Sequence, residues 1–177
     1  LIAREAVDAH LSVAGDIIDP DADLKQKAKA ATEAGKFYAR WLPTLVAGKG
    51  QFPTSFGEFG PLGTHLRYVE RASRRLARST FYAMSRWQGK LEHKQRFLGR
   101  IVDIGAELFA MTAACVRAQR DRTDTSAAEL ADAFCRQARM RADQMFDELW
   151  HNTDDTDRVL SRRVLDGRYT WLEEGIL

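Results

Sequence analysis

The stretch FLGRIVDIGAELFAMTAACVRAQR, Phe97–Arg120, constrains this chain more than any other. Phe97, Ile101, Ile104, Leu108, Met111 and Cys115 recur at steps of four and three. A second track of Leu98, Val102, Gly105, Phe109, Thr112 and Val116 runs beside it. Arg100, Asp103, Glu107, Arg117 and Asp121 form a third, polar track. Two apolar stripes beside one polar stripe describe a helix buried over much of its circumference, with the remaining helices packed around it.

The rest of the chain agrees with that architecture. No segment alternates apolar and polar residues over the length a strand needs. Hydrophobic residues make up 45% of the sequence, enough for a sizeable core. The expected fold is all-α, an antiparallel helical bundle with a four-helix-bundle-like core and an N-terminal helical segment. A length of 177 residues suits one domain with an appendage. The divisions expected are 1–47, a helical segment with a connecting helix; 48–63, a Gly/Phe-rich linker; and 64–177, the C-terminal bundle.

In chain order, Leu1–Gly15 reads as a helix without a starting cap, and no Met precedes it. Both features mark the chain as a fragment of a longer one. Asp19 and Pro20 start a second helix that runs to Trp41, and Pro43 ends or kinks it. Gly48–Gly63 combines five glycines, two prolines and three phenylalanines, so it is an unusually aromatic loop. Phe52, Phe56 and Phe59 are candidate residues for contact with a partner or a membrane. Packing of the three loop phenylalanines on the bundle is the simpler alternative. Thr64 caps the next helix, whose seam is Leu62, Leu66, Val69, Ser73, Leu76, Thr80, Ala83 and Trp87. Gln88-Gly89 turns the chain into the central helix. Ser126 and Glu129 form a capping box for the following helix, with Ala127, Leu130, Phe134, Ala138, Met145 and Leu149 on its inner face. A last helix starts near Thr153–Thr156, carries Val159, Leu160 and Val164, and stops at Gly167. Tyr169, Trp171 and Ile176 are expected to dock the tail.

The net charge is +2. Ten Lys or Arg lie between Thr64 and Arg100, against only Glu70 and Glu92. Such a segment can attract phosphates, CoA or anionic lipid, and Arg71, Arg74, Arg75 and Arg78 would carry that binding. A solvated helix face paired with acids elsewhere is the simpler account. Nucleic acid is not an expected partner. No apolar run approaches the roughly 20 residues of a membrane span, and a cytoplasmic location, with peripheral membrane contact as an option, follows.

Catalytic apparatus is hard to find. Glu148-x-x-His151 has the helical spacing of di-iron bundles, but such sites use two pairs and two further glutamates. His10, His65 and His93 have no evident ligand partners, so no metal site is expected. Gly48-Lys49-Gly50 is too short a match to a phosphate-binding loop. Cys115 and Cys135 form no metal-ligand spacing and are read as two free thiols in a reducing cytosol, with a disulfide between packed helices as the alternative.

The central stretch also carries a resemblance. Arg100-Ile101-x-Asp103, then Glu107-Leu108-Phe109-Ala110-Met111-Thr112-Ala113 and Val116-Arg117-Ala118, resembles the C-terminal helical extension of long- and very-long-chain acyl-CoA dehydrogenases. Leu1-Ile2-Ala3-Arg4 is similar to the L-x-I-A-R that follows the catalytic E-G-[S/T] segment in that family. The resemblance implies a parent enzyme that uses FAD to form the α,β double bond of a fatty acyl-CoA. It places the catalytic glutamate before Leu1 and the flavin domain earlier still, so no catalytic, cofactor-binding or metal residue is assigned here. Residues 1–47 then correspond to the end of the catalytic half and its connecting helix. The implied partners are the catalytic half of the same chain, a second subunit in a homodimer, and the acyl-CoA substrate of the parent; the resemblance also implies a membrane or partner contact for the segment matching roughly Phe37–Phe59, which adds Phe37 and Trp41 to the candidate contact residues. The implied role is structural, with no turnover by this segment alone. The alternative is a stand-alone helical module that binds an anionic partner through its basic helix.

Overall fold

The computed structural model describes Ser12, Asp21, residues 23–120 and residues 125–175. The expected helix over Leu1–Gly15 and the cap at Asp19-Pro20 lie outside the described residues, save Ser12. Among the described residues there are five α-helices and no strand: α1 Leu24–Trp41, α2 Gly63–Trp87, α3 Gln95–Arg120, α4 Thr125–Glu148 and α5 Asp154–Leu165. Short 3-10 turns lie between α1 and α2 and between α2 and α3, and short connections make consecutive long helices antiparallel neighbours.

The central helix is α3, and its first apolar stripe is the axis of the core. Phe97, Ile101, Ile104, Leu108, Met111 and Cys115 are buried, and Ala118 continues the line. The second stripe corrects the expectation. Phe109 is 76% exposed, Val116 is exposed, and Leu98 and Val102 are only half-buried. The helix therefore buries one face, not most of its circumference, because α2 and α4 cover only part of its surface.

On α4 the buried stripe is Ala131, Cys135, Ala138, Ala142, Phe146 and Leu149. Of the expected face, Ala138 and Leu149 are buried and Ala127, Phe134 and Met145 pack half-buried against the core, but Leu130 is 72% exposed. Small residues win the inner positions because large side chains already come from α3, and the two backbones can then approach closely. The helix begins at Thr125, which puts Ser126 inside the first turn and not at the cap.

Other boundaries shift for local reasons. The α1 helix starts after Asp23, whose backbone N–H donates to Gln26 Oε1 at 3.0 Å. It ends at Trp41, and Pro43 sits in the 3-10 turn Leu42–Leu45. Thr64 is not the cap of α2; its hydroxyl donates back to the Pro61 carbonyl at 3.0 Å. On α2 the seam includes buried His65, Tyr68 and Ala72, while Ser73 is exposed. After α2 the turn residue with positive φ is Gln88, at 47°, and not Gly89. The tail does not dock through Trp171, which is 61% exposed.

A second aromatic cluster ties α1 to the bundle. Tyr38 and Trp41 meet Phe81 of α2 at tilted angles, with ring centroids 5.5 and 5.3 Å apart. At the opposite end Trp87, Phe97 and Trp150 meet edge-on or tilted, at 4.9 to 5.8 Å.

Candidate functional site

The most organised polar surface is the face of α2 that meets the linker. Arg67, Arg71 and Arg78 share one face of the helix, and each donates to a backbone carbonyl of the preceding segment. Arg67 Nη1 reaches Ser55 O at 2.9 Å, Arg71 Nη1 reaches Gly50 O at 2.6 Å, and Arg78 reaches Leu45 O. Glu70 completes the set by accepting the Gly50 N–H at 2.9 Å and the Arg74 Nε–H at 2.6 Å. The linker is thus not a free loop. It is a run of 3-10 turns, Lys49–Gln51 and Gly57–Leu62, held by side chains of α2. Turns of this kind leave carbonyls unpaired, and guanidinium groups satisfy them with charge-assisted bonds.

Glycine is required where this contact is tightest. A Cβ on Gly50 would lie 2.3 Å from Glu70 Oε2 and 2.6 Å from the Arg67 carbonyl oxygen. The Gly48-Lys49-Gly50 turn faces Arg74 and Glu70 and not an open concavity, so it offers no cradle for a flavin or CoA phosphate.

Four more cations of the basic segment, Arg75, Lys94, Arg96 and Arg100, are also occupied. The Arg75 guanidinium lies over the Phe146 ring, 4.4 Å from its centroid. Lys94, Arg96 and Arg100 clamp the first turn of α5. Lys94 pairs with Asp155 at 3.1 Å, Arg96 with Asp157 at 2.6 Å, and Arg100 holds Asp154 in a fork of 2.7 and 2.9 Å. The Arg100 guanidinium holds the Asp154 carboxyl below the usual range, and Asp154 in turn raises Arg100. The alternative of a basic anion-binding face on α2 is therefore not favoured: Arg71, Arg74, Arg75 and Arg78 have partners inside the fold, in line with the simpler account of a face paired within the fold.

The candidate contact residues separate into two groups. Phe56 and Phe59 pack against the core, and Phe37 and Trp41 stack within the α1 cluster while lining a groove of about 920 Å³ beside Lys36 and Arg40. Phe52 alone stands out, 60% exposed. Leu42 and Val46, which the sequence reading passed over, are exposed on the same connector, and the Val46 carbonyl accepts the Gln51 side chain at 2.6 Å.

The histidines and carboxylates serve the packing. His65 is buried, and its Nε2 lies 2.8 Å from Asp132 Oδ1, joining α2 to α4. That contact, with Arg136, holds Asp132 below the usual carboxylate range. Tyr68 repeats the link by donating to Asp143 at 2.8 Å, and burial pushes its phenol up. Glu107 accepts two bonds from Arg141, at 2.6 and 2.9 Å. His151 Nδ1 lies 2.8 Å from Asp147, while Glu148 accepts from Gln144 and sits near Arg100. Glu148 and His151 thus engage different neighbours. Among the described residues no three His, Cys, Asp or Glu side chains converge. Nor is any described helix long and apolar enough to cross a membrane.

Comparison with known proteins places these features. The family described as acyl-CoA dehydrogenase, C-terminal, bacterial type, matches residues 44–165, more than half of the chain. The chain is 64% identical over 182 aligned residues to the probable acyl-CoA dehydrogenase FadE10 of Mycobacterium bovis, and equally so to that of Mycobacterium tuberculosis. The alignment takes in 100% of this chain and 28% of each relative, so the chain spans little more than a quarter of the length of those proteins. No solved structure matches. The family match starts at Thr44 and ends at Leu165, taking in the arginine-held linker, the three long helices and the clamped α5. On that match, the chain belongs to the bacterial-type acyl-CoA dehydrogenase C-terminal family.

Proposed function

We propose that this chain is the assembly domain of an FAD-dependent acyl-CoA dehydrogenase. The parent would form the α,β double bond of a fatty acyl-CoA in β-oxidation, with flavin and thioester held by parts of the protein outside this segment. The FadE10 relatives, named as probable acyl-CoA dehydrogenases, support that reading of the parent. Here the domain's own residues do no chemistry. They hold a rigid surface against the catalytic half of the chain and, in the full protein, support a homodimer.

The observation that carries this reading is the mismatch between polar and apolar surface. The charged side chains most organised in space are consumed by the fold's own contacts. Large apolar side chains are left outside: Phe109 and Val116 on the flank of α3, and Val159, Leu160, Val164 and Leu165 on α5, a helix without a buried residue. A surface of this kind marks a protein contact. A peripheral membrane contact, as a secondary role, would fall to Phe52 with Leu42 and Val46.

The test is a pair of substitutions, Phe109→Asp and Leu160→Asp, in the full-length protein. Both positions are exposed, so the melting of the isolated domain should stay within about 1 °C of wild type. In the full-length enzyme the expected result is loss of the native oligomer by size-exclusion chromatography, with loss of flavin retention. Wild-type assembly in the double variant would overturn the proposal, as would flavin absorbance or acyl-CoA oxidation by residues 1–177 alone.

A further inference from the structure

Cys115 on α3 and Cys135 on α4 face each other across the seam between the two helices. Their Sγ atoms are 3.7 Å apart, and both side chains are fully buried. Cys135 Sγ also lies 3.8 Å from the Met111 carbonyl, so its S–H has two acceptors in reach. The flanking inner positions on α4 are Ala131, Ala138 and Ala142, all buried. That run of small side chains lets the two backbones come together, which is what a disulfide demands, since its Cα atoms sit roughly 4.4–6.8 Å apart. Bringing the sulfurs to bonding distance, about 2.05 Å, takes a movement of under about 2 Å, within reach of small rotations at the two side chains.

We infer that Cys115 and Cys135 form a redox modification site, a buried dithiol that peroxide converts to an intramolecular disulfide between α3 and α4. The chemistry runs in two steps. The Cys115 thiolate attacks one oxygen of hydrogen peroxide, the O–O bond breaks, and hydroxide leaves to give a sulfenic acid. The Cys135 sulfur then attacks that sulfenic sulfur, the S–O bond breaks, and water leaves with the Cys135 proton. In sum, two thiols and one hydrogen peroxide give one disulfide and two waters. The thiols lose two electrons and the peroxide gains them.

Cys115 is the better first nucleophile, because a hydrogen bond from the Cys135 thiol supports its thiolate, whereas that same contact and burial push Cys135 up. The resolving sulfur is already in contact, so a sulfenic acid at Cys115 has a partner before a second oxidant molecule arrives. Burial sets the rate. Peroxide reaches the pair only when the seam opens, so oxidation should be slow in the native state and should accelerate in mild urea well below the unfolding midpoint. Once formed, the bond closes a short loop that includes the α3–α4 connection, and it should raise the thermal midpoint by roughly 5–10 °C.

The experiment is intact-mass spectrometry of the full chain after exposure to hydrogen peroxide, followed by non-reducing peptide mapping. The expected result is a loss of about 2 Da, the mass of the two hydrogens removed, and a linked peptide containing Cys115 and Cys135. Dithiothreitol should reverse it, and Cys135→Ser should replace it with oxygen additions at Cys115. Native protein that gains only oxygen atoms, or forms only disulfide-linked dimers, overturns the inference. So does native protein whose thiols stay unchanged while the urea-unfolded chain reacts. The mass loss, the linked peptide and their reversal are read on the wild-type chain, so the outcome does not hang on the Cys135→Ser variant folding.

Discussion

Gly50→Ala is the sharpest probe of how the linker is held. The added methyl would sit 2.6 Å from the Arg67 carbonyl oxygen, a backbone atom of α2 that cannot swing aside, and 2.3 Å from Glu70 Oε2. Relief to an ordinary contact means the turn must retreat by about 1 Å. A retreat of that size takes the Gly50 N–H to Glu70 bond, now 2.9 Å, and the Arg71 to Gly50 O bond, now 2.6 Å, to or beyond the limit of hydrogen bonding. Hydrogen bonds to charged groups contribute about 1.5–3 kcal/mol each, and the exposed Arg71 argues for the lower end. The expected cost is about 2–3 kcal/mol, or a fall in melting temperature of roughly 5–10 °C for a chain of this size. Gly57→Ala is the matched control, because a Cβ there meets nothing within 4 Å. Thermal denaturation measures both variants, and amide exchange locates the change; protection should fall at residues 45–55 in Gly50→Ala alone. Equal melting of the two alanine variants would refute the reasoning, since it would show that the turn is not pressed against α2.

Two further outcomes follow from the core and from the α5 clamp. Leu108→Asp puts a carboxylate into a position only 4% exposed, so the domain should lose several kcal/mol, on the order of 3–5, by urea denaturation; an unchanged midpoint would mean that α3 faces another way. Asp154 has a folded-state pKa below its unfolded value, so its contribution is present above about pH 4 and is lost as pH falls through the depressed value. Amide protection over residues 154–165 should therefore drop on acidification before that of residues 101–118 does. Simultaneous loss of both would show that the clamp is not what holds α5.

Much of the architecture was legible from spacing. The seven-position stripe of α3 needed only helical periodicity, because large apolar residues mark the buried face without help from neighbours. The α4 face was read less fully for the opposite reason. Its inner residues include Ala131 and Ala142, whose weak hydrophobic signal was outweighed by Leu130 on the outside. His65 and Tyr68 were missed on α2 because their polar tips look like surface residues until Asp132 and Asp143 are placed opposite them. The linker contacts were half visible. Arg67, Arg71, Arg74 and Arg78 recur at steps of four, three and four, which puts them on one face. What no local pattern could show is that the acceptors on that face are carbonyls of the same chain. The exposed flank at Phe109 was read as core because apolar periodicity reports a face to be covered and does not say by what.

The arginine contacts have a consequence for how this region can vary. Arg67, Arg71 and Arg78 address main-chain oxygens, which every amino acid supplies alike. The instructions for the path of residues 45–55 are therefore written on the helix and not in the segment that follows the path. Apart from its crowded glycines, that segment is free to change its side chains without losing its course. Its length is another matter. One residue added or removed shifts every later carbonyl out of register with a donor fixed on α2, so the segment should tolerate substitution widely and insertion hardly at all.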